Sequence, residues 1–453
     1  MSAVTCIPIL ECVYLLGCAR WVWVRCTYTG ADDSKTWPLA DVEDFKPVPR
    51  MCQLILAVYE EDLAKPEWAP PAGYHILTQH VLKKVDYEDT RGIVPPYIIY
   101  ADHEHKDIVL AIRGLNLVKE SDYALLWDNK LGKQMFDGGY VHHGLLKSAA
   151  WLLDKEAGTL KSLLATYPIY TLSFTGHSLG SGVASLAVVL LTKYRFLVSN
   201  ISRKRLRCYA IAPARCMSLN LAVEYADIIN SIILQDDFLP RTATPLEDIF
   251  SSIFCLPCLL CFSCLRDTCI PEHKLLKDQR RLYAPGRFFH IVERKLCRCG
   301  RYPPEVRTSI PVEGRFEHIV LSCNATSDHS VVWIEREAER AIELMEESIT
   351  DVPEQQKMER QQTLAKEHDE EHKVALERAK SLNIPRTNSQ KNGLIDEYLL
   401  PAKTEELTLA IEQGDIVFDL ENADLTTDVE SNNQALQTVR FTEWSPLVQL
   451  NLQ

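Results

Sequence analysis

The chain has no excess of positive charge. Its 49 Lys and Arg stand against 62 Asp and Glu, a formal charge of −13. Nucleic-acid binders need clustered cations to displace counterions from phosphates, so no nucleic acid is expected as a partner. An uninterrupted apolar run long enough to cross a bilayer is also missing. The most apolar N-terminal stretch, Ala3 to Trp23, is broken by Glu11 and Arg20 and has no basic residue before it, which weakens both a membrane-span and a signal-peptide reading. Gly17-Cys18-Ala19 keeps a cleavage site in view, and Cys6, Cys12, Cys18 and Cys26 could be acylated beside a membrane, while a partly buried N-terminal segment is an equally good reading. There is no internal repeat. Fifteen cysteines, an odd number scattered through the chain, do not read as the framework of a small secreted domain; reduced thiols in the cytosol fit better.

What is present suits a large core. With 453 residues and 46% apolar content, one catalytic domain plus appendages is the default. Tyr97 to Tyr100 and Ile108 to Ile112 flank a polar stretch in the manner of neighbouring strands. Helical spacing follows from Leu145 to Leu164, then a strand over Ile169 to Phe174, a helix over Leu179 to Thr192, short strands around Tyr209 and Ile232, and a helix over Val331 to Ile349. Such alternation predicts a mainly parallel central sheet with flanking helices, an α/β fold. Glu354 to Lys380 is charged and helical in character, and Ser381 to Gln453 carries 4 basic and 12 acidic residues, the composition of a solvated tail. The expected divisions are residues 1–64, an apolar and membrane-associated segment; 65–350, the catalytic domain with an insertion at 241–285; and 351–453, a charged helix and acidic tail.

Gly176-His177-Ser178-Leu179-Gly180 is G-x-S-x-G, with an apolar strand before it and an apolar helix after it. That context is the one a nucleophile elbow requires, and it points to the α/β-hydrolase fold with Ser178 as nucleophile. A serine hydroxyl needs a histidine to take its proton, and the histidine needs a carboxylate to fix its tautomer. In this fold they follow in the order Ser, Asp or Glu, His. The strand Ile228 to Leu234 ends in Gln235-Asp236-Asp237-Phe238, so Asp236 and Asp237 compete for the acid. Asp328-His329-Ser330 precedes a long helix, which favours His329; His318 and His290 come in the right order but sit in strand-like segments.

At these residues the chain resembles the class 3 lipases, the family that includes fungal triacylglycerol lipases and the diacylglycerol lipases. Gly176 to Gly180 matches the family's elbow, Asp237-Phe238-Leu239-Pro240-Arg241 its acid motif and Ser327-Asp328-His329 its histidine motif. The likeness runs from about Pro66 to Glu347 and implies Asp237 rather than Asp236. Ala111-Ile112-Arg113-Gly114 resembles the strand and turn before the oxyanion hole, and Leu117 to Gly139 occupies the place of the lid. The family usually has Thr or Ser after that glycine, whereas this chain has Leu115, so the resemblance leaves the backbone N–H groups of Leu115 and Leu179 to hold the oxyanion. Losing one donor can cost about 10²–10³ in rate, so slow turnover is expected.

Ile249 to Leu265 is uncharged and contains Cys255, Cys258, Cys261 and Cys264. Membrane contact with S-acylation is the leading reading, ahead of a metal or cluster site and of plain core. The resemblance implies a lipase of glycerolipid acyl esters, diacylglycerol or monoacylglycerol, that is cytoplasmic and peripherally membrane-associated, needs no cofactor and is open to calcium regulation. The alternatives are a phospholipase A1 and a calmodulin-binding interaction protein with weak catalysis, since some plant relatives of this branch are calmodulin-binding. The footprints of the last would be Arg203 to Arg207 and His273 to Lys295.

Overall fold

A computed structural model describes residues 28–382 apart from 72, 117, 129–134, 199, 243–280, 295–300, 318–319, 321 and 350–353. The chain divides into 1–399 and 400–453, and the second unit lies outside the described residues, as do the four cysteines of the insertion and His318.

Eight strands form one sheet: β1 (Val81–Val85), β2 (Tyr97–Asp102), β3 (Asp107–Ile112), β6 (Thr171–His177), β7 (Leu206–Ile211), β8 (Ile229–Leu234), β9 (Arg287–Arg294) and β10 (Arg301–Ser309), hydrogen-bonded in that order. The five from β3 to β9 run parallel, while β1, β2 and β10 each lie antiparallel to their inner neighbour. A two-stranded ribbon, β4 (Met135–Phe136) and β5 (Gly139–Tyr140), stands apart. Parallel neighbours need long crossovers; here these run through α3 (His143–Thr166), α4 (Leu179–Lys193) and α5 (Leu219–Glu224), after α1 (Val48–Tyr59) and α2 (Glu120–Trp127) and before α6 (Val331–Ile349) and α7 (Glu354–Ser381).

Both faces of the sheet are covered, so its inner strands are buried at nearly every position rather than at alternate ones. All six residues of β2 and of β3 are buried. Alternation still sorts them: Ile108, Leu110 and Ile112 join α3 and α4 in one core, and Val109 and Ala111 join α1 and α6 in the other.

Two of the expected divisions are not where the packing puts them. Helix α1 buries Met51, Leu54, Ile55 and Val58 in the second core, so this N-terminal helix packs as part of the same unit as the sheet. An apolar stretch leaves water equally well against a sheet or a membrane, and hydropathy does not distinguish the two. The charged helix α7 is likewise docked. Ala375 and Ala379 are buried, Glu371 accepts from Ile310 N–H (2.8 Å) and pairs with Arg287 (2.8 Å), and His372 Nε2 donates to Val223 O (2.8 Å). A narrow apolar stripe on a polar helix is easily hidden by its composition.

Candidate active site

Ser178 sits where β6 turns into α4, with φ 52° and ψ −116°. Such a backbone costs a non-glycine residue about 1–3 kcal/mol and persists only when its surroundings enforce it. Here the enforcement is steric. A Cβ on Gly176 would lie 2.3 Å from Gly180 O, and one on Gly180 would lie 2.3 Å from Arg113 O. Only glycines let strand, helix and the turn after β3 approach so closely. Ser181 Oγ donates to Ser178 O and accepts from Ala214 N–H (3.0 Å), bracing the turn from within.

The acid and the base reach this point from two other loops. His329 Nε2 is 2.9 Å from Ser178 Oγ, and His329 Nδ1 is 3.0 Å from Asp237 Oδ1. Asp237 follows β8, and because β6 and β8 run parallel, their carboxyl ends lie on one edge. Its side chain is fully buried and Oδ1 also accepts from Leu239 N–H (3.0 Å). A carboxylate accepting at Nδ1 fixes the proton there and leaves Nε2 free to accept from the serine.

The neighbouring acid does something else. Asp236 Oδ1 accepts from Gly30 N–H (2.8 Å), and Asp236 N–H donates to Asp328 Oδ2 (2.9 Å). Asp328 thereby ties the histidine loop to the acid loop. His290 is buried in β9 between Ser34 Oγ (2.7 Å) and Gln235 O (3.0 Å), far from a reacting role, and burial pulls it down to about 3.

The two expected oxyanion donors flank the elbow. Leu179 opens α4, where the first backbone N–H groups have no partner within the helix. Leu115 lies in the turn after β3, whose end at Ile112 is paired with Gly176. The N–H groups on either side of Leu115 are both held by side chains: Gly114 N–H donates to Tyr59 Oη (2.8 Å), and Asn116 N–H donates to Asp122 Oδ2 (2.8 Å). Asp122 belongs to α2 in the lid position, also accepts from Tyr87 Oη (2.8 Å), and is raised by burial above the usual carboxylate range. Val118, just before α2, and Trp127, its last residue, are 89% and 52% exposed.

Tyr59, Asp122 and His177 carry no role in the sequence reading. His177 lies inside the elbow motif but its partners are 118 and 152 positions away, and no local pattern announces contacts at that range.

Comparison with known proteins gives two family matches: the class 3 lipase family over residues 109–247 and the lipase 3 N-terminal region over residues 9–76. Diacylglycerol lipase-beta of Mus musculus is 29% identical over 161 residues, 34% of this chain and 23% of that one. Diacylglycerol lipase-alpha of Homo sapiens is 26% identical over 156 residues, 32% of this chain and 14% of that one. The chain thus spans less than a quarter of the length of these relatives. Among solved structures, a fungal lipase-inhibitor complex aligns at a TM-score of 0.41 and 15% identity, covering 60% of this chain and 86% of that one. The lipase of Rhizopus microsporus var. chinensis aligns at 0.41 and 16%, covering 64% and 87%. The N-terminal region and the lipase region of the class 3 lipases are thus both matched in one chain, and the elbow, acid and histidine motifs converge on one edge of a mainly parallel sheet.

Proposed function

We propose that the protein is a serine carboxylic ester hydrolase acting on glycerolipids, with diacylglycerol or monoacylglycerol as its substrate. The observation that carries this reading is the unbroken chain from Ser178 Oγ through His329 to Asp237, at 2.9 and 3.0 Å, on a nucleophile elbow. In the reaction Ser178 Oγ attacks the ester carbonyl while its proton passes to His329 Nε2. Asp237 stabilises the resulting imidazolium without taking its proton. The N–H groups of Leu115 and Leu179 receive the oxyanion. The alcohol leaves with the proton from His329, and a water activated by the same ring releases the fatty acid from the acyl-enzyme. Every group needed is a side chain or an amide of this chain, so the reaction calls for no cofactor.

The choice of glycerolipid draws support from the diacylglycerol lipases among the relatives. The exposed Val118 and Trp127 on the lid segment suit work at a lipid surface. Among the described residues no helix is long and apolar enough to cross a membrane, and peripheral attachment at the cytoplasmic face is the reading adopted. Among the described residues nothing favours a calmodulin-binding role. Arg203 pairs with Asp227, Arg205 donates to Tyr170 O, and Arg281 to Val292, the described part of the second basic stretch free of exposure, is buried in a loop and in β9.

Purified protein assayed against diacylglycerol, monoacylglycerol and a phospholipid is expected to release fatty acid fastest from the first two. Ser178→Ala should lower this by about 10³-fold or more. Activity retained in that variant removes the serine mechanism, and preference for the phospholipid makes the protein a phospholipase. Replacing Cys255, Cys258, Cys261 and Cys264 by Ser is expected to move the protein from membrane to cytosol on fractionation while sparing a short soluble ester; an unmoved protein refutes acylation there.

A further inference from the structure

Tyr59 stands outside every segment that carries the triad. It closes α1, yet its hydroxyl lies where three of the site's segments meet. Gly114 N–H donates to Tyr59 Oη at 2.8 Å, Tyr59 Oη is 2.9 Å from His177 Nδ1, and His177 Nε2 is 2.8 Å from the carbonyl oxygen of His329. A carbonyl only accepts, so the proton of a neutral His177 is on Nε2, and Nδ1 must accept from the phenol. The order of donors is therefore forced: Gly114 N–H to Tyr59, Tyr59 to His177, His177 to the backbone of His329.

The surroundings keep both groups in the protonation states this order needs. Burial pulls His177 down to about 3, with the nearby His329 adding to the fall, and pushes the Tyr59 phenol up to about 12. The junction also explains Gly114. A Cβ at that position would lie 2.6 Å from His177 Nδ1 and 2.8 Å from Tyr59 Oη. The Arg113 guanidinium, 4.5 Å from the centre of the Tyr59 ring, holds the ring from the other side of the turn.

We propose that Tyr59 is a positioning residue: its hydroxyl locks the turn bearing the Leu115 N–H, the residue before Ser178 and the backbone of His329 into one register before substrate binds. This rests on reading the site as an ester hydrolase. Leu115 brings no hydroxyl of its own, so the oxyanion donor at this turn is a backbone N–H, aimed only as well as the turn is held. Misplacement by about 1 Å can cost about 10²-fold in rate. The phenol reaches across from the N-terminal helix to supply that hold.

The test uses the full chain, a short soluble ester and an aryl trifluoromethyl ketone, whose adduct with Ser178 puts an oxyanion where the reaction does. Tyr59→Phe keeps the ring and removes the hydroxyl. It is expected to lower kcat by about tenfold to hundredfold with KM changed less than about threefold, and to weaken the ketone by the same factor as kcat/KM. A merely structural role would leave kcat and ketone affinity in the folded fraction, counted by fluorophosphonate titration, within about twofold of the unmodified protein; that result overturns the proposal, as does a rise in KM alone. Should Tyr59→Phe not fold, 3,5-difluorotyrosine at position 59 keeps both bonds but weakens the oxygen as an acceptor, and it should lower kcat severalfold; an unchanged kcat overturns the proposal. If the unmodified protein neither hydrolyses the ester nor takes the fluorophosphonate at Ser178, the hydrolase reading fails and this inference with it. If it does both and only the Tyr59 variants behave as unmodified, the inference alone is lost.

Discussion

Among the described residues, the buried His142, His177 and His290 are each held below the ordinary histidine range. His142 caps α3 by accepting from Leu145 N–H (3.3 Å), His177 bridges Tyr59 and the backbone of His329, and His290 bridges Ser34 and Gln235. Burial is the main cause in each, pulling them to about 4, 3 and 3. An exposed histidine in the unfolded chain titrates near 6.5. The folded values are the lower ones, so below about pH 6.5 the unfolded chain binds more protons, and stability that is fully present above that pH is lost as the pH falls. Asp107, Asp122 and Glu335 are raised by burial and act in the opposite sense. A group held above its unfolded carboxylate value favours the folded state as the pH falls toward the acid range, which offsets part of the histidine loss. The urea midpoint is therefore expected to drop between pH 7 and pH 5. His290→Gln, which keeps a polar side chain between Ser34 and Gln235, should flatten that drop by about a third when compared with its own pH 7 value. An equally steep drop in that variant would trace the acid sensitivity to other groups.

At the scale of elements, the elbow works because β6, α4 and the turn after β3 touch through backbone. The contact of a Cβ on Gly180 would be with Arg113 O at 2.3 Å and Ile112 O at 2.8 Å, and backbone cannot swing aside as a side-chain end can. Gly180→Ala should push the oxyanion turn away from α4, lowering stability by about 1–3 kcal/mol and kcat by about 10²-fold. Gly158→Ala in the middle of α3 is the control, because a Cβ there meets nothing within 4 Å. It should leave activity alone and raise stability by up to about 1 kcal/mol, since alanine gives up less backbone entropy in a helix. Equal effects of the two substitutions on kcat, read by ester hydrolysis alongside thermal unfolding, would mean that glycine at 180 serves the helix and not the site. The elbow is also the element most legible in the sequence, since its glycines, serine, strand and helix are all neighbours along the chain. The acid and the base are legible only as candidates. Asp236 and Asp237 share a strand end, and what separates them is that one meets Gly30 and Asp328 while the other meets His329.

At the scale of the whole molecule, the N-terminal helix is part of the core that covers the sheet and not an attachment to it. Helix α1 lays Met51, Leu54, Ile55 and Val58 against Val109, Ala111 and Ile211 of the sheet and against Ile334 and Ala338 of α6. A chain beginning at residue 65 would expose that face of the sheet. It is expected to lose cooperative unfolding and to bind a hydrophobic dye such as anilinonaphthalene sulfonate at pH 7; a sharp unfolding transition at the full-length temperature would show that the core is complete without α1. Local order along the chain determined the strands β2, β3, β6, β7 and β8, the elbow at Ser178 and the residue types of the triad, because periodicity and turn chemistry act between positions a few residues apart. Which acid pairs with His329, where α1 buries its apolar face, and the bond from Tyr59 to His177 were decided only by the tertiary structure, because these contacts join residues from 92 to 118 or more positions apart, and their energies depend on a dry, close-packed interior that no single segment possesses.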